Sequence, residues 1–165
     1  MAQINDPQKL FEHELAMALG AERKVRTTLR KLEQRAQRVA LKQQFHHHLE
    51  ETEGQIKNLE QALQTIGAKV GAHDADSANG IAAEGERLME RVVDELIDAV
   101  LLGAAAKTEH VEIAMYEGLI TKAEAMGEDD IVSLLEENLE QEKHTLEEVR
   151  TASQQVSKEL ATQAA

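Results

Sequence analysis

Apolar residues recur every three or four positions along most of the chain, and this spacing predicts amphipathic helices. The first run starts at Asp6-Pro7, which favours a helix start because aspartate caps the helix and proline fits its first position. No glycine or proline marks the break between the first and second runs. The pattern predicts four long helices, over about 6–35, 38–67, 92–126 and 129–157.

The connection between the second and third helices differs from the rest of the chain. Residues 68–91 include a segment rich in glycine, aspartate and serine, which is typical of a surface loop, and a short helix is expected at 78–89. The other two connections are short, and short connections join antiparallel neighbours. We therefore predict an all-α fold, a ferritin-like antiparallel four-helix bundle in which residues 1–165 form a single domain.

Each predicted core stripe is interrupted by polar residues near the middle of its helix. These residues are carboxylates and one imidazole, at positions where the helical period calls for an apolar side chain. In antiparallel helices of equal length, mid-helix residues meet in one layer. Bare carboxylates facing a core would cost several kcal/mol or would take up protons. The six residues are Glu22, His48, Glu51, Glu109, Glu112 and Glu142.

The third helix shows this conflict most clearly. Glu109 and Glu112 are three residues apart, so they share one face of the helix. That face is predicted to lie close to the apolar stripe, so the two carboxylates should point toward the core. The stripe comprises Val100, Ala104, Ala105, Val111 and Met115.

A pair of metal ions would resolve the conflict, because ions supply positive charge and carboxylates bridge them in four-helix bundles. In such bundles two helices usually provide one glutamate each and the other two provide Glu-x-x-His. Here His48 precedes Glu51, and Thr145 stands where the last helix would carry its histidine. His144 and Glu147 are the alternatives for a further ligand on that helix. Oxygen and nitrogen ligands without thiolates suit iron or manganese, so we predict two metal ions, with iron favoured over manganese.

Residues in and around this layer also have simpler interpretations. A glutamate in an apolar stripe often lies at the rim, with its alkyl stem buried and its carboxylate in water. His46 and His47 flank His48 but project away from it, so both are expected in solvent. His110 is expected to be a bystander at the surface. Tyr116 either donates a hydrogen bond near the ions or is an ordinary core tyrosine.

Composition limits the classes of function. With 165 residues, of which 42% are hydrophobic and 30% charged, the chain resembles a folded globular protein. The net charge of -13 argues against nucleic acid and anionic membranes as partners, because neither would be attracted. The absence of cysteine excludes disulfides and thiolate ligands. No segment has the apolar length of a signal peptide or membrane span, so a cytoplasmic location is expected.

Several long segments are distinctive as sequence motifs. They are HLEETEGQI (48–56), AEGERLME (83–90), TEHVEIAMYEGL (108–119) and NLEQEKHTL (138–146), preceded by Ala-Glu-Arg-Lys at 21–24. In this order the segments resemble the YciE/YciF family of ferritin-like bacterial proteins, over nearly the whole chain.

The resemblance implies a four-helix bundle that forms a homodimer and is associated with bacterial stress responses. It also implies metal ligands at the six positions given above. Some relatives carry a carboxylate where this chain has Leu146, which leaves the ligands of the last helix open.

Three functions are compatible with these features. We expect a dinuclear-metal oxidoreductase, either a ferroxidase or a peroxide-consuming enzyme, whose oxidant is dioxygen or hydrogen peroxide. The alternative is a non-enzymatic stress or interaction protein in which the polar or metal layer is structural. Iron storage is a third function, but it requires a closed multi-subunit shell, and no sequence feature here indicates its interfaces.

Overall fold

The computed structural model describes residues 3–71 and 76–163. In these two ranges the chain forms five α-helices and one short 3-10 turn, Asp94–Leu96. None of the described helices is long and apolar enough to cross a membrane. The predicted all-α fold is confirmed. The helices are α1 (Pro7–Arg35), α2 (Val39–Thr65), α3 (Asp76–Met89), α4 (Ile97–Met126) and α5 (Asp129–Gln163).

The four long helices, α1, α2, α4 and α5, form an antiparallel bundle with two apolar clusters. One cluster joins the first halves of α1 and α5 to the second halves of α2 and α4. The other cluster joins the opposite halves. Because each cluster combines the start of one helix with the end of its chain neighbour, α1 runs antiparallel to α2, and α4 runs antiparallel to α5.

The long connection between α2 and α4 contains α3, the short helix expected at 78–89, which begins slightly earlier than predicted. This helix packs against α4 and α1, so it covers the groove between them. The central residues of the predicted loop, 72–75, lie outside the described residues.

Two glycines end their helices as the sequence predicts. Gly67 and Gly127 have φ values of 70° and 74° and follow α2 and α4. This left-handed backbone region strongly favours glycine, which has no Cβ to clash.

Two helix ends differ from the prediction. α4 begins at Ile97, after the 3-10 turn, rather than near 92. α5 continues to Gln163 rather than ending near 157. The extension is stabilised by contacts, because Val156 is buried and Glu159 pairs with Arg38 at 2.6 Å.

The break between α1 and α2 is fixed by a residue of α4. The Asp98 carboxylate accepts hydrogen bonds from the backbone N–H groups of Gln37 (2.7 Å) and Arg38 (3.2 Å), at the turn into α2. The Arg38 guanidinium donates to the same carboxylate at 3.1 Å and to Glu159 of α5 at 2.6 Å. Asp98 is only 2% exposed. A long-range contact therefore stabilises this break, which no local sequence signal marks.

One residue predicted to lie in the core stripe of α4 faces solvent instead. Val111 is 38% exposed. The inward face of α4 is centred on Ala105, Glu109, Glu112 and Tyr116, and Val111 is about 100° around the helix from Glu112. The prediction for Val111 is therefore wrong.

Asp98→Ala is expected to lower the free energy of unfolding by about 2–3 kcal/mol, because it removes the buried acceptor of two backbone N–H groups and a partly buried ion pair. Asp98→Asn retains one acceptor oxygen and should cost less. Asp94→Ala, at an exposed position in the preceding turn, is the matched control and should stay within about 0.5 kcal/mol of the parent chain. Urea unfolding followed by circular dichroism measures all three variants. Equal losses at the two positions would contradict the role of Asp98.

Candidate metal centre

A layer of buried polar side chains separates the two apolar clusters of the bundle. Each long helix contributes to this layer from near its middle. Its most buried members are almost inaccessible to solvent. Their charge must therefore be compensated by protons or cations. Their exposed fractions are 0% for Glu22, 3% for His48, 1% for Glu109, 2% for Glu112 and 0% for Glu142.

Four of the six predicted ligands form one compact group. Each of them offers a ring nitrogen or a carboxylate oxygen, and these atoms lie within 4.8 Å of one another. The Nε2 of His48 is 3.4 Å from the Oε1 of Glu109 and 4.0 Å from the Oε2 of Glu142. A group of this size could hold a metal ion. Its members are His48, Glu109, Glu112 and Glu142.

The donor atoms of this group lack other partners among the described residues. Both oxygens of Glu112 and both oxygens of Glu142 are buried without a hydrogen bond, as are the Oε2 of Glu109 and the Nε2 of His48. Buried polar atoms are normally hydrogen-bonded, so such a concentration of unpaired acceptors needs an explanation. A cation fits this position, and one imidazole with three carboxylates is a suitable donor set for iron or manganese.

Without a metal, the layer must hold protons. Burial raises the pKa of Glu112 and of Glu142 well above the usual range, and the neighbouring carboxylates raise both further. Burial also raises the pKa of Glu22 to about 7. For His48 burial disfavours the imidazolium, but the charge of Glu109 and other carboxylates raises its pKa well above the usual value. Metal binding should therefore release protons.

Glu22 lies beside the compact group and is held by a chain of hydrogen bonds. The Tyr116 hydroxyl donates to the Oε1 of Glu22 at 2.5 Å, and the Asn138 amide donates to the Tyr116 hydroxyl at 3.1 Å. Asn58 in turn donates to Asn138 at 2.8 Å. Tyr116 therefore fits both interpretations, because its ring lies in the apolar core and its hydroxyl donates a hydrogen bond at the layer. The Oε2 of Glu22 is buried and has no partner among the described residues.

Glu51 occupies a different position from the other five residues. Its Oε2 is 3.6 Å from the Nδ1 of His48, whereas the other ring nitrogen, Nε2, faces Glu109. The Thr145 hydroxyl lies 3.3 Å from the same Nδ1 and 3.4 Å from the Oε2 of Glu51. Residues that orient a metal-binding histidine contact its second ring nitrogen in this way. The geometry places Glu51 where it can orient His48, outside the compact group.

The two residues considered as a further ligand on the last helix both lie at the surface. The side chain of His144 is 65% exposed and lies 3.4 Å from Glu148. The side chain of Glu147 is 69% exposed and pairs with Arg150 at 2.6 Å. His110 is exposed, as predicted, and so are the two histidines that flank His48.

Asn138 and Thr145 contact the layer, although the sequence does not indicate a role for either. Both are buried polar residues on α5, at positions where the helical period expects apolar side chains. The same signal identified the glutamates. For a neutral amide or hydroxyl the signal is weaker, because such a group costs far less to bury than a charge and can often bond to nearby backbone.

Comparison with known proteins places this chain in a family. A family model described as a domain of unknown function, DUF892, matches residues 6–162. YciF of Escherichia coli (strain K12) is 36% identical over 140 residues, which are 84% of this chain and 84% of YciF. The chain belongs to this YciF-like family. The resemblance that the sequence motifs indicate is thereby confirmed.

Solved structures of YciF-like proteins share the fold. The crystal structure of the E. coli stress protein YciF matches with a TM-score of 0.88 at 32% identity, covering 94% of this chain and 99% of YciF. YcfI of Rhodopseudomonas palustris, for which a structural role has been suggested, has a TM-score of 0.87 at 32% identity, with 90% and 96% covered. A protein of Xanthomonas campestris has a TM-score of 0.78 at 18% identity, with 96% and 99% covered, which shows the fold alone.

In the metal-free YciF-like protein, Glu22 should make stability depend on pH. Its pKa rises from 4.5 to about 7 on folding, so the folded chain binds this proton more tightly than the unfolded chain. The stability that this group contributes is fully present below about pH 4.5 and is lost as the pH rises through about 7. We therefore expect Glu22→Gln to gain stability relative to the parent chain between pH 5 and pH 8.

Urea unfolding in the presence of a chelator measures this difference. Glu12→Gln changes a half-buried glutamate of the same helix and serves as the control. If the stability of Glu22→Gln varied with pH in parallel with that of the parent chain, the buried-proton explanation would be wrong.

Proposed function

We propose that this chain is a dinuclear-metal protein that oxidises Fe(II) with dioxygen or hydrogen peroxide in a bacterial stress response. The compact group of His48, Glu109, Glu112 and Glu142 carries the proposal, because its buried donor atoms have no other partner among the described residues. The stress role is proposed from the similarity to YciF, which is described as a stress protein. A homodimer, as the family resemblance implies, and the cytoplasmic location expected from the sequence are part of the proposal.

A second ion would be held by Glu22 together with carboxylates of the compact group. The charge of Glu22 raises the pKa of both Glu112 and Glu142, which supports a role for Glu22 at the same centre. Glu22 has one free buried oxygen, while its other oxygen is held by Tyr116. Glu112 would have both oxygens available as ligands, because both are buried and have no partner among the described residues.

The oxidation balances with Fe(II) as the electron donor. Dioxygen takes one electron from each of two Fe(II) ions, together with two protons, and leaves as hydrogen peroxide. Hydrogen peroxide takes two electrons and two protons and leaves as two water molecules. Bound iron supplies open positions for the oxidant and a change of one electron per ion.

The protein's own residues would hold and protect this site. The His48 ring is oriented by contacts with Glu51 and Thr145 at its Nδ1, which leaves Nε2 as a ligand atom. Burial of the layer excludes bulk water. Tyr116 keeps its proton, because burial raises the pKa of its hydroxyl well above the usual value, and the hydroxyl donates a hydrogen bond to Glu22.

The proposal predicts that the parent chain binds Fe(II) anaerobically and oxidises it on mixing with dioxygen or peroxide. Loss of a residue that only orients a ligand typically lowers metal affinity by roughly 10–100-fold. His48→Ala removes a ligand itself, so its affinity for Fe(II) should fall by at least this factor. His110→Ala makes the same change at an exposed imidazole and should behave like the parent chain. Stopped-flow absorbance of ferric iron measures the rates. Oxidation that is unchanged in His48→Ala would refute the proposed site.

A structural metal layer is the second candidate. It is favoured by the burial of the centre, whose most buried glutamates are inaccessible to solvent, and by the structural role suggested for the R. palustris relative. In this case the ion would fix the register of the four helices, and no oxidant would be consumed.

Glu112→Gln tests metal binding separately from oxidation. Any ion that binds only the folded chain should stabilise it by about 2.7 kcal/mol at 100 times its dissociation constant, and Glu112→Gln should lose most of this gain. Glu117→Gln, an exposed position on the same helix, should retain it. Thermal unfolding with and without Mn(II) or Fe(II) measures the effect. Stabilisation without oxidation would favour the structural candidate, and no stabilisation of the parent chain would contradict both.

A further inference from the structure

An apolar cavity of about 40 Å³ lies between α1, α3 and α4, in the half of the bundle where α4 begins. Its walls are mainly aliphatic side chains from all three helices, with Thr28 of α1 as a polar exception, and they continue the second apolar cluster. The main wall residues are Val25 and Leu29 of α1, Ile81 of α3, and Leu101, Ala104 and Ala105 of α4.

The crossover helix α3 forms the outer wall of the cavity. Gly85 of α3 faces α4 so closely that a Cβ added there would lie 3.4 Å from the Cβ of Ala104. At the rim, Lys31 of α1 pairs with Glu86 of α3 at 2.7 Å, and both side chains are about half exposed. The cavity is therefore bounded on its solvent side by one helix and an ion pair that can open.

The cavity also reaches the candidate metal centre, because Glu109 is one of its lining residues. The Oε2 of Glu109 is buried and has no partner among the described residues. The neighbouring Thr108 does not add a free donor to this wall, since its hydroxyl bonds to the backbone oxygen of Ala104 at 3.1 Å. The apolar cavity thus extends to a residue of the compact group.

Size and polarity select the occupant. One water needs roughly 10–15 Å³ of such volume, so the cavity has room for about three or four waters or for one diatomic gas molecule. Water and hydrogen peroxide would have to give up hydrogen bonds along the aliphatic walls, which is costly, whereas dioxygen has none to lose.

We infer that this cavity binds dioxygen and is the path by which dioxygen reaches the Glu109 side of the centre. The gas site stands on the cavity alone. The path also requires that the centre oxidises Fe(II), and this part of the inference rests on the proposed function. We assign dioxygen, and not hydrogen peroxide, as the oxidant that uses the path. The crossover helix then has a role besides connecting α2 to α4: it closes a gas path.

The gas site is tested with xenon on the metal-free protein, so the result does not depend on oxidation. Xenon is an apolar probe that occupies dry apolar cavities. The parent chain should show a saturable ¹²⁹Xe chemical shift, and Ala104→Leu, which fills the cavity from α4, should lose it. Ala114→Leu makes the same change at an exposed position of the same helix and should keep it. Absence of xenon binding in the parent chain would overturn the inference.

Val25→Ile is a second variant, in case Ala104→Leu does not fold. It adds one methylene group from the opposite wall and should weaken xenon binding without abolishing it. Circular dichroism and thermal unfolding establish that each variant is folded. Unchanged xenon binding in every folded variant that fills the cavity would also overturn the inference.

The path is tested on Fe(II)-loaded protein with the two oxidants in parallel. Ala104→Leu should oxidise Fe(II) more slowly than Ala114→Leu when dioxygen is the oxidant. The two variants should have the same rate of oxidation by hydrogen peroxide and the same affinity for Fe(II). Equal slowing with both oxidants, or with neither, would overturn the path. If the parent chain binds xenon but oxidises no Fe(II), the proposed function and the path fail while the gas site stands.

Discussion

The bundle depends on one constraint: carboxylates from three helices and an imidazole from the fourth are buried in a single layer between two apolar clusters. Charged groups in this position are tolerated only if protons or cations neutralise them. Burial raises the pKa of Glu22, Glu112 and Glu142, so the metal-free protein compensates with protons. A bound cation would also neutralise the layer, and the carboxylates would then keep their negative charge. The stability of the layer and its capacity to bind metal thus have the same electrostatic cause.

The surroundings of the layer are organised so that its two sides differ. On one side, the hydrogen bonds from Asn138 to Tyr116 and from Tyr116 to Glu22 fix one carboxylate oxygen. On the other side, Thr145 and Glu51 contact the Nδ1 of His48 and leave its Nε2 directed at Glu109. These neighbours form hydrogen bonds with some of the polar atoms of the layer and leave other polar atoms unpaired. The free positions converge on the compact group, which is why the group has the character of a binding site.

Much of the fold could be predicted from the sequence, because the signals are local or periodic. The 3.6-residue period of apolar side chains identified the long helices, Asp6-Pro7 and the two glycines at helix ends identified several boundaries, and interrupted stripes identified the six polar positions. The failures have a common origin. Val111 fits an apolar pattern on α4, a helix that is apolar around most of its circumference, so periodicity does not fix which side faces the core. α5 continues beyond its predicted end because contacts with the rest of the bundle stabilise it.

The sequence by itself determined the helices, their order and the polar residues that interrupt their inward faces, because each of these is encoded by spacing along one helix. Only the tertiary structure decided which atoms meet. It joined His48, Glu109, Glu112 and Glu142 in one group, set Glu51 behind the His48 ring and removed His144 and Glu147 from the site. Rotation of each helix about its axis is settled by packing against the other helices. A single chain segment contains no information on that rotation beyond its own apolar face.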